Sequence, residues 1–144
     1  MLLIVNGPNL NLLGEREPRV YGSTTLEELE GDLTSLGDEL GEDLLFFQSN
    51  HEGEIIDFLH AHRKVASGVL INPGALTHYS YSLRDALEAI ELTVVEVHIS
   101  DIAEREEFRR KSVVEPVAAV QIAGKGLDGY FEGLRELVAR AGDR

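Results

Sequence analysis

The sequence predicts an α/β fold, with a five-stranded parallel sheet held between two layers of helices. Two observations predict it. Short apolar bursts rich in Val, Leu and Ile recur along the whole chain with little polar alternation, as in strands covered on both faces. Stretches of helical spacing separate these bursts, and parallel neighbours need such crossovers. At 144 residues and 43% hydrophobic content, the chain suits one domain over 1–144 with a proper core.

The first strand is Leu2–Val5. A connection of roughly 18 residues follows, far longer than the usual ~2–6 of a strand-to-helix loop, which marks it as functional. Leu26, Leu29, Leu33, Leu36 and Leu40 then lie on one face of a helix. Thr24 with Glu27 predicts a capping box at its start, and Gly31 and Gly37 weaken it by about 1 kcal/mol each. Leu44–Phe47 is the second strand, and Ile55, Ile56 and Leu59 mark the second helix. Val69–Ile71 is the third strand, followed by a helix through Leu83, Ala86, Leu87 and Ile90. Val94–Val97 is the fourth, with a short helix expected over Ala103–Phe108. The last strand is expected over Val117–Ile122, before a helix through Leu127, Tyr130, Phe131, Leu134, Leu137 and Val138. Five such units predict a flavodoxin-like three-layer sandwich. Ligands of such folds bind beyond the carboxyl ends of the strands, near the switch in strand order.

Charge and composition exclude several function classes. Thirteen basic against 26 acidic residues give a net charge of −13, and the pI is near 4.7. That field repels nucleic acid and anionic membrane surfaces. Apolar runs such as Leu2-Leu3-Ile4-Val5 are too short to span a membrane, and no basic n-region precedes them. The expectation is a soluble cytoplasmic protein without a signal peptide. The absence of Cys excludes disulfides, thiolate nucleophiles and Cys-ligated metal sites. His60 and His62 stand two apart on a helix and so diverge, and no H-E-x-x-H spacing exists; no metal is expected. Lys64, Lys111 and Lys125 lie at no strand end, which argues against a Schiff base. Gly124–Gly129 matches G-x-G-x-x-G, but only residues 130–144 follow, too few for a further βαβ unit. Close strand-to-helix packing is the better reading. The charge cluster over 102–110 reads as a solvated helical face.

Chemistry concentrates at three strand ends. Asn6-Gly7-Pro8-Asn9 and the long connection, with Arg16 and Tyr21, follow the first strand. Asn72-Pro73-Gly74-Ala75-Leu76-Thr77-His78 follows the third, and Glu96-Val97-His98-Ile99-Ser100-Asp101 closes the fourth. Glu96 and His98, two apart on a strand, share a face. Singly, each residue has an ordinary explanation: Asx-turns for Asn6, Asn9 and Asn72, a core histidine for His98, a loop aromatic for Tyr21, a solvated charge for Arg16. Their convergence on the ligand-binding edge favours a site. An electron carrier would want a Ser/Thr-rich phosphate cradle in the first loop. A receiver module would want acidic residues where Asn6 and Asn72 stand.

Together these segments resemble type II 3-dehydroquinate dehydratase. The matching pieces are N-G-P-N-L-x-x-L-G-x-R-E-P-x-x-Y-G at 6–22, Q-S-N-x-E-G at 48–53 and N-P-G-A-x-T-H at 72–78. S-L-R-D-A at 82–86, E-V-H-I-S at 96–100 and R-E-E-F-R at 105–109 continue the match. The resemblance implies a single catalytic domain that dehydrates 3-dehydroquinate to 3-dehydroshikimate in the shikimate pathway, through an enolate and without a cofactor. It implies Tyr21 as a tyrosinate base aided by Arg16, His98 as the acid oriented by Glu96, and Asn9 as enolate stabiliser. Ile99 and Ser100 would hold the substrate carboxylate, and Asn72, His78, Asp85 and Arg109 the ring oxygens. Asp85 would reach a neighbouring subunit's site in a homododecamer built as a tetramer of trimers. Asp101 and Leu76 depart from the family pattern, in which Asn is common at the first position and Tyr frequent at the second.

Overall fold

The computed structural model describes residues 1–15 and 22–141. Five strands, β1 (Leu2–Asn6), β2 (Leu44–Gln48), β3 (Gly68–Asn72), β4 (Thr93–His98) and β5 (Val120–Ala123), form one parallel sheet in the order β2-β1-β3-β4-β5. Four α-helices cover it: α1 (Leu26–Leu40), α2 (Glu52–His62), α3 (Tyr81–Ala89) and α4 (Asp128–Ala141). The strand order reverses between β1 and β3, whose last residues Asn6 and Asn72 are register partners.

Alternate residues of the strands build two cores. Leu2, Ile4, Leu70, Val95, Val97 and Ile122 pack beneath α1 and α4, through Leu29, Leu33, Leu134 and Leu137. Leu3, Val5, Val69, Ile71 and Val94 pack beneath α2 and α3, through Ile55, Leu59, Leu83 and Leu87. This two-sided burial explains the unalternating apolar strands. The glycine motif serves packing: a Cβ on Gly129 would lie 3.2 Å from Val97 Cγ2, so its absence lets α4 settle on the sheet.

Three local expectations are corrected. The cap of α1 is Thr25, one residue beyond Thr24; its Oγ1 accepts the Glu28 N–H at 3.2 Å. The pattern S/T-x-x-E occurs twice here, and the second copy starts the helix at Leu26. No helix covers Ala103–Phe108. Two 3-10 turns, Ile102–Glu104 and Glu107–Arg109, stand there, because Arg105 leaves the helical region (φ −88°, ψ 179°) and Ile102 alone among their residues is buried. Finally, β5 begins at Val120, not Val117. Pro116 lies in a 3-10 turn over Glu115–Val117, and the apolar Val117 and Ala118 pack against the second core. No described helix is long and apolar enough to cross a membrane.

Candidate active site

The switch point is tied together by a buried chain of hydrogen bonds. The Tyr130 hydroxyl of α4 donates to Asn6 Oδ1 at 2.6 Å and accepts from Asn72 Nδ2 at 2.8 Å. Asn72 Oδ1 accepts the Gly74 N–H at 3.1 Å, an Asx-turn. The ordinary reading of Asn72 is therefore correct, and it is compatible with the sharper one. One Nδ2 hydrogen remains for the cleft that Asn72 lines. Burial pushes the Tyr130 phenol well above its usual range, so this residue is a neutral hydrogen-bonding group.

The first loop is held from β2. Gln48 Nε2 donates to the Gly7 carbonyl at 3.2 Å, and Asn50 Oδ1 accepts the Asn9 N–H at 2.9 Å. Asn9 has a left-handed backbone (φ 71°), a conformation that asparagine tolerates better than most residues. The residue lines the cleft. Farther on, the loop's stems meet: a Cβ on Gly14 would lie 2.9 Å from the Ser23 carbonyl oxygen. Arg16 and Tyr21, which belong between those stems in sequence, lie outside the described residues.

At the end of β4, Glu96 is wholly buried and His98 is 5% exposed. Glu96 Oε2 lies 2.5 Å from His98 Nε2 and accepts from Thr77 Oγ1 and Ser112 Oγ, both at 2.7 Å. Burial pushes the Glu96 carboxyl up, but the His98 hydrogen bond and charge, with the two hydroxyls, outweigh it and bring it below the ordinary range. An ionised Glu96 only accepts, so His98 donates through Nε2–H and its other nitrogen, Nδ1, is left for chemistry. His78 is oriented similarly. Its Nδ1 lies 2.7 Å from the Lys111 carbonyl, which can only accept, so Nε2 of a neutral ring is an acceptor.

These ends enclose a cleft of about 300 Å³. Of the expected residues, Asn9, Asn72, His78, His98, Ser100 and Arg109 line it together with Ile99, and Glu96 stands behind His98. Asp85 is exposed on α3 and does not line this chain's cleft. The Ile99 carbonyl accepts the Gly126 N–H at 3.0 Å, which hooks the anion-binding candidate to the turn before α4. Asp101 caps the next turn by accepting the Ala103 N–H at 3.0 Å, which an asparagine oxygen would do equally. Leu76 is buried in the second core and is a packing residue.

Sequence reasoning gave no role to Thr77, Ser112 or Tyr130, nor to Arg105 and Phe108 of the cleft wall. Only one signal pointed to the hydroxyls: a carboxylate in the middle of an apolar strand must find donors somewhere. Chemically, the cleft combines two imidazoles whose far nitrogens are fixed by hydrogen bonds, amide groups and arginine. That set suits a small, anionic, oxygen-rich molecule. Among the described residues no cluster of His, Asp and Glu is placed to hold a metal.

Comparison with known proteins gives one consistent result. Residues 1–138 match the family model described as dehydroquinase class II. A 3-dehydroquinate dehydratase of Bacillus pumilus is 56% identical over 140 residues, covering 97% of this chain and 95% of the relative. The crystal structure of a type II dehydroquinase from Butyrivibrio crossotus superposes with a TM-score of 0.91 at 46% identity, covering 94% of this chain and 95% of that one. That of a type II dehydroquinase from Propionibacterium acnes also gives 0.91, at 43% identity, with coverages of 96% and 95%.

Proposed function

Because the chain belongs to the class II dehydroquinase family, we propose that it dehydrates 3-dehydroquinate to 3-dehydroshikimate, a step toward aromatic amino acids. The observation that carries this reading is the buried Glu96–His98 pair at the wall of a polar cleft. It supplies a directed proton donor where a hydroxyl must leave.

The reaction breaks a C–H bond beside the ketone and then a C–O bond. Tyr21, as tyrosinate, takes the proton. With an ordinary phenol pKa of ~10, forming that anion at pH 7 costs about 4 kcal/mol, which the Arg16 guanidinium offsets. The electron pair moves onto the ketone oxygen as an enolate. Asn9 stabilises that charge through an ordered water, without giving up a proton. When the enolate collapses, the hydroxyl departs with the Nδ1 proton of the His98 imidazolium and leaves as water; the proton Tyr21 took then passes through solvent to His98, which restores both groups. Glu96, anionic throughout, keeps the ring oriented.

Binding follows from the remaining groups. Backbone N–H at Ile99 and the Ser100 hydroxyl take the substrate carboxylate, and Arg109 grips a ring oxygen. The remaining Asn72 N–H donates to a ring oxygen, and His78 Nε2 accepts from a ring hydroxyl. An analogue without that hydroxyl leaves His78 Nε2 unpaired in the closed site, which gives selectivity. Base, acid and enolate stabiliser all come from the chain, so the reaction calls for no cofactor. Asp85 acts from a neighbouring subunit of a homododecamer, a tetramer of trimers, in the cytoplasm. The acidic chain has no role on nucleic acid or membranes.

His98→Ala tests the acid. With 3-dehydroquinate, its kcat should fall by roughly 10²–10⁴ while KM changes little. Exchange of the reacting C–H with solvent should persist, since Tyr21 still acts. A His98→Ala enzyme with normal kcat would remove this mechanism.

A further inference from the structure

Three donors converge on Glu96 Oε2, and none reaches Oε1. Among the described residues, two buried side-chain polar atoms have no hydrogen-bond partner: Glu96 Oε1, an acceptor, and Gln121 Nε2, a donor. They are not scattered. Glu96 on β4 and Gln121 on β5 are register partners in the parallel sheet, on strands about 4.8 Å apart. Their neighbours Val95, Val97 and Ile122 all turn into the core beneath α1 and α4. By strand alternation, Glu96 and Gln121 therefore share the opposite face.

We infer that Gln121 is a positioning residue for the Glu96–His98 pair: its amide N–H donates to Glu96 Oε1, the carboxylate oxygen left unused by the other donors. A small rotation of the amide, or one intervening water, joins the two atoms. Each alone is a buried polar group without a partner, and each has the chemistry the other needs. An amide suits this place because it gives a hydrogen bond and no proton. Glu96 then stays an acceptor on both oxygens, and the proton between it and His98 stays on Nε2.

The inference rests on the proposed role of His98, but its geometry is independent of that role. Around Glu96, the packed elements carry His98 on its own strand, His78 on the turn after β3, and Lys111 and Glu115 beside Ser112. β3 and β5 carry no titratable side chain. A change in the acid limb of the pH profile on altering Gln121 therefore reports on Glu96 and its partners, not on a lost charge.

Gln121→Leu removes the donor and keeps the bulk. It should lower kcat by about 10-fold, leave KM within about twofold, and move the acid limb of kcat to higher pH, because Glu96 then protonates more readily. Gln121→Glu, nearly isosteric, should move that limb further. A folded Gln121→Leu enzyme with unchanged kcat and acid limb would overturn the inference. A high-resolution crystal structure of the unaltered protein decides it even if the variants do not fold. Gln121 Nε2 within about 3 Å of Glu96 Oε1, or joined to it by one ordered water, is the expected result. An amide turned to other partners overturns it. Should the protein fail to turn over 3-dehydroquinate, that contact still stands or falls by itself.

Discussion

The Tyr130 hydroxyl, on the last helix, donates to Asn6 at the end of the first strand, 124 residues away along the chain. The same oxygen accepts from Asn72, so one buried phenol holds both sides of the switch point where the cleft opens. Cleft and fold are thereby linked: the Asn72 amide, at the cleft wall, keeps this hydrogen bond only while α4 is seated.

Tyr130→Phe leaves Asn6 Oδ1 and one Asn72 N–H without their shared partner in a buried place. It should destabilise the protein by about 1–3 kcal/mol, read as a lower denaturant midpoint with an unchanged slope. KM should rise more than kcat falls, because the proposed role of Asn72 is binding.

Glu96 makes acid stability specific. Its carboxyl lies below the ordinary value of 4.5 in the folded protein. Its stabilising contribution is therefore complete above that value and is lost as pH falls through the lower, folded value. Glu96→Gln should flatten the stability profile below about pH 4.5 and cut kcat at neutral pH, since a neutral amide oxygen accepts more weakly than the carboxylate and lacks the charge that faces His98. Urea midpoints taken from pH 3 to 7 check the first claim; an unchanged acid slope in Glu96→Gln would refute it.

Much of the fold was legible because burial on both faces leaves an unmistakable pattern. Leu2–Val5 and Val69–Ile71 could hardly be anything other than central strands, and both are fully buried. The misread places are those where tertiary contacts outvote local pattern. Ala103–Phe108 carries helix-forming residues but almost no buried face, so it breaks into turns. Within the site, strand alternation made the shared face of Glu96 and His98 readable, and only the resemblance suggested what the pair does. Thr77, Ser112 and Tyr130 were not, because the partners they serve are 19, 16 and 124 residues distant in sequence. Only folding sets such distances to hydrogen-bond length.

Tyr21→Phe should abolish proton abstraction and largely preserve binding, because most proposed substrate contacts lie on other segments. Solvent exchange at the reacting carbon should vanish with turnover, in contrast to His98→Ala. Near-normal turnover in Tyr21→Phe would exclude it as the base.

Asp85 is exposed on α3, outside its own chain's cleft. If it completes a neighbour's site, mixing Tyr21→Phe subunits with Asp85→Ala subunits after dissociation should restore part of the activity. Some reassembled sites then hold an intact Tyr21 and an intact Asp85 from different chains. Verified mixed oligomers without recovery, or a fully active monomer, would contradict the shared site.

The central claim is that this chain's own side chains dehydrate 3-dehydroquinate. The most direct measurement adds 3-dehydroquinate to protein stripped of metal by a chelator and follows the ultraviolet absorbance of the conjugated enone. The account predicts an immediate rise at the rate of untreated protein, unaffected by prior treatment with borohydride and substrate. No absorbance, a rate restored only by added divalent metal, or a substrate–lysine adduct trapped by borohydride would contradict it.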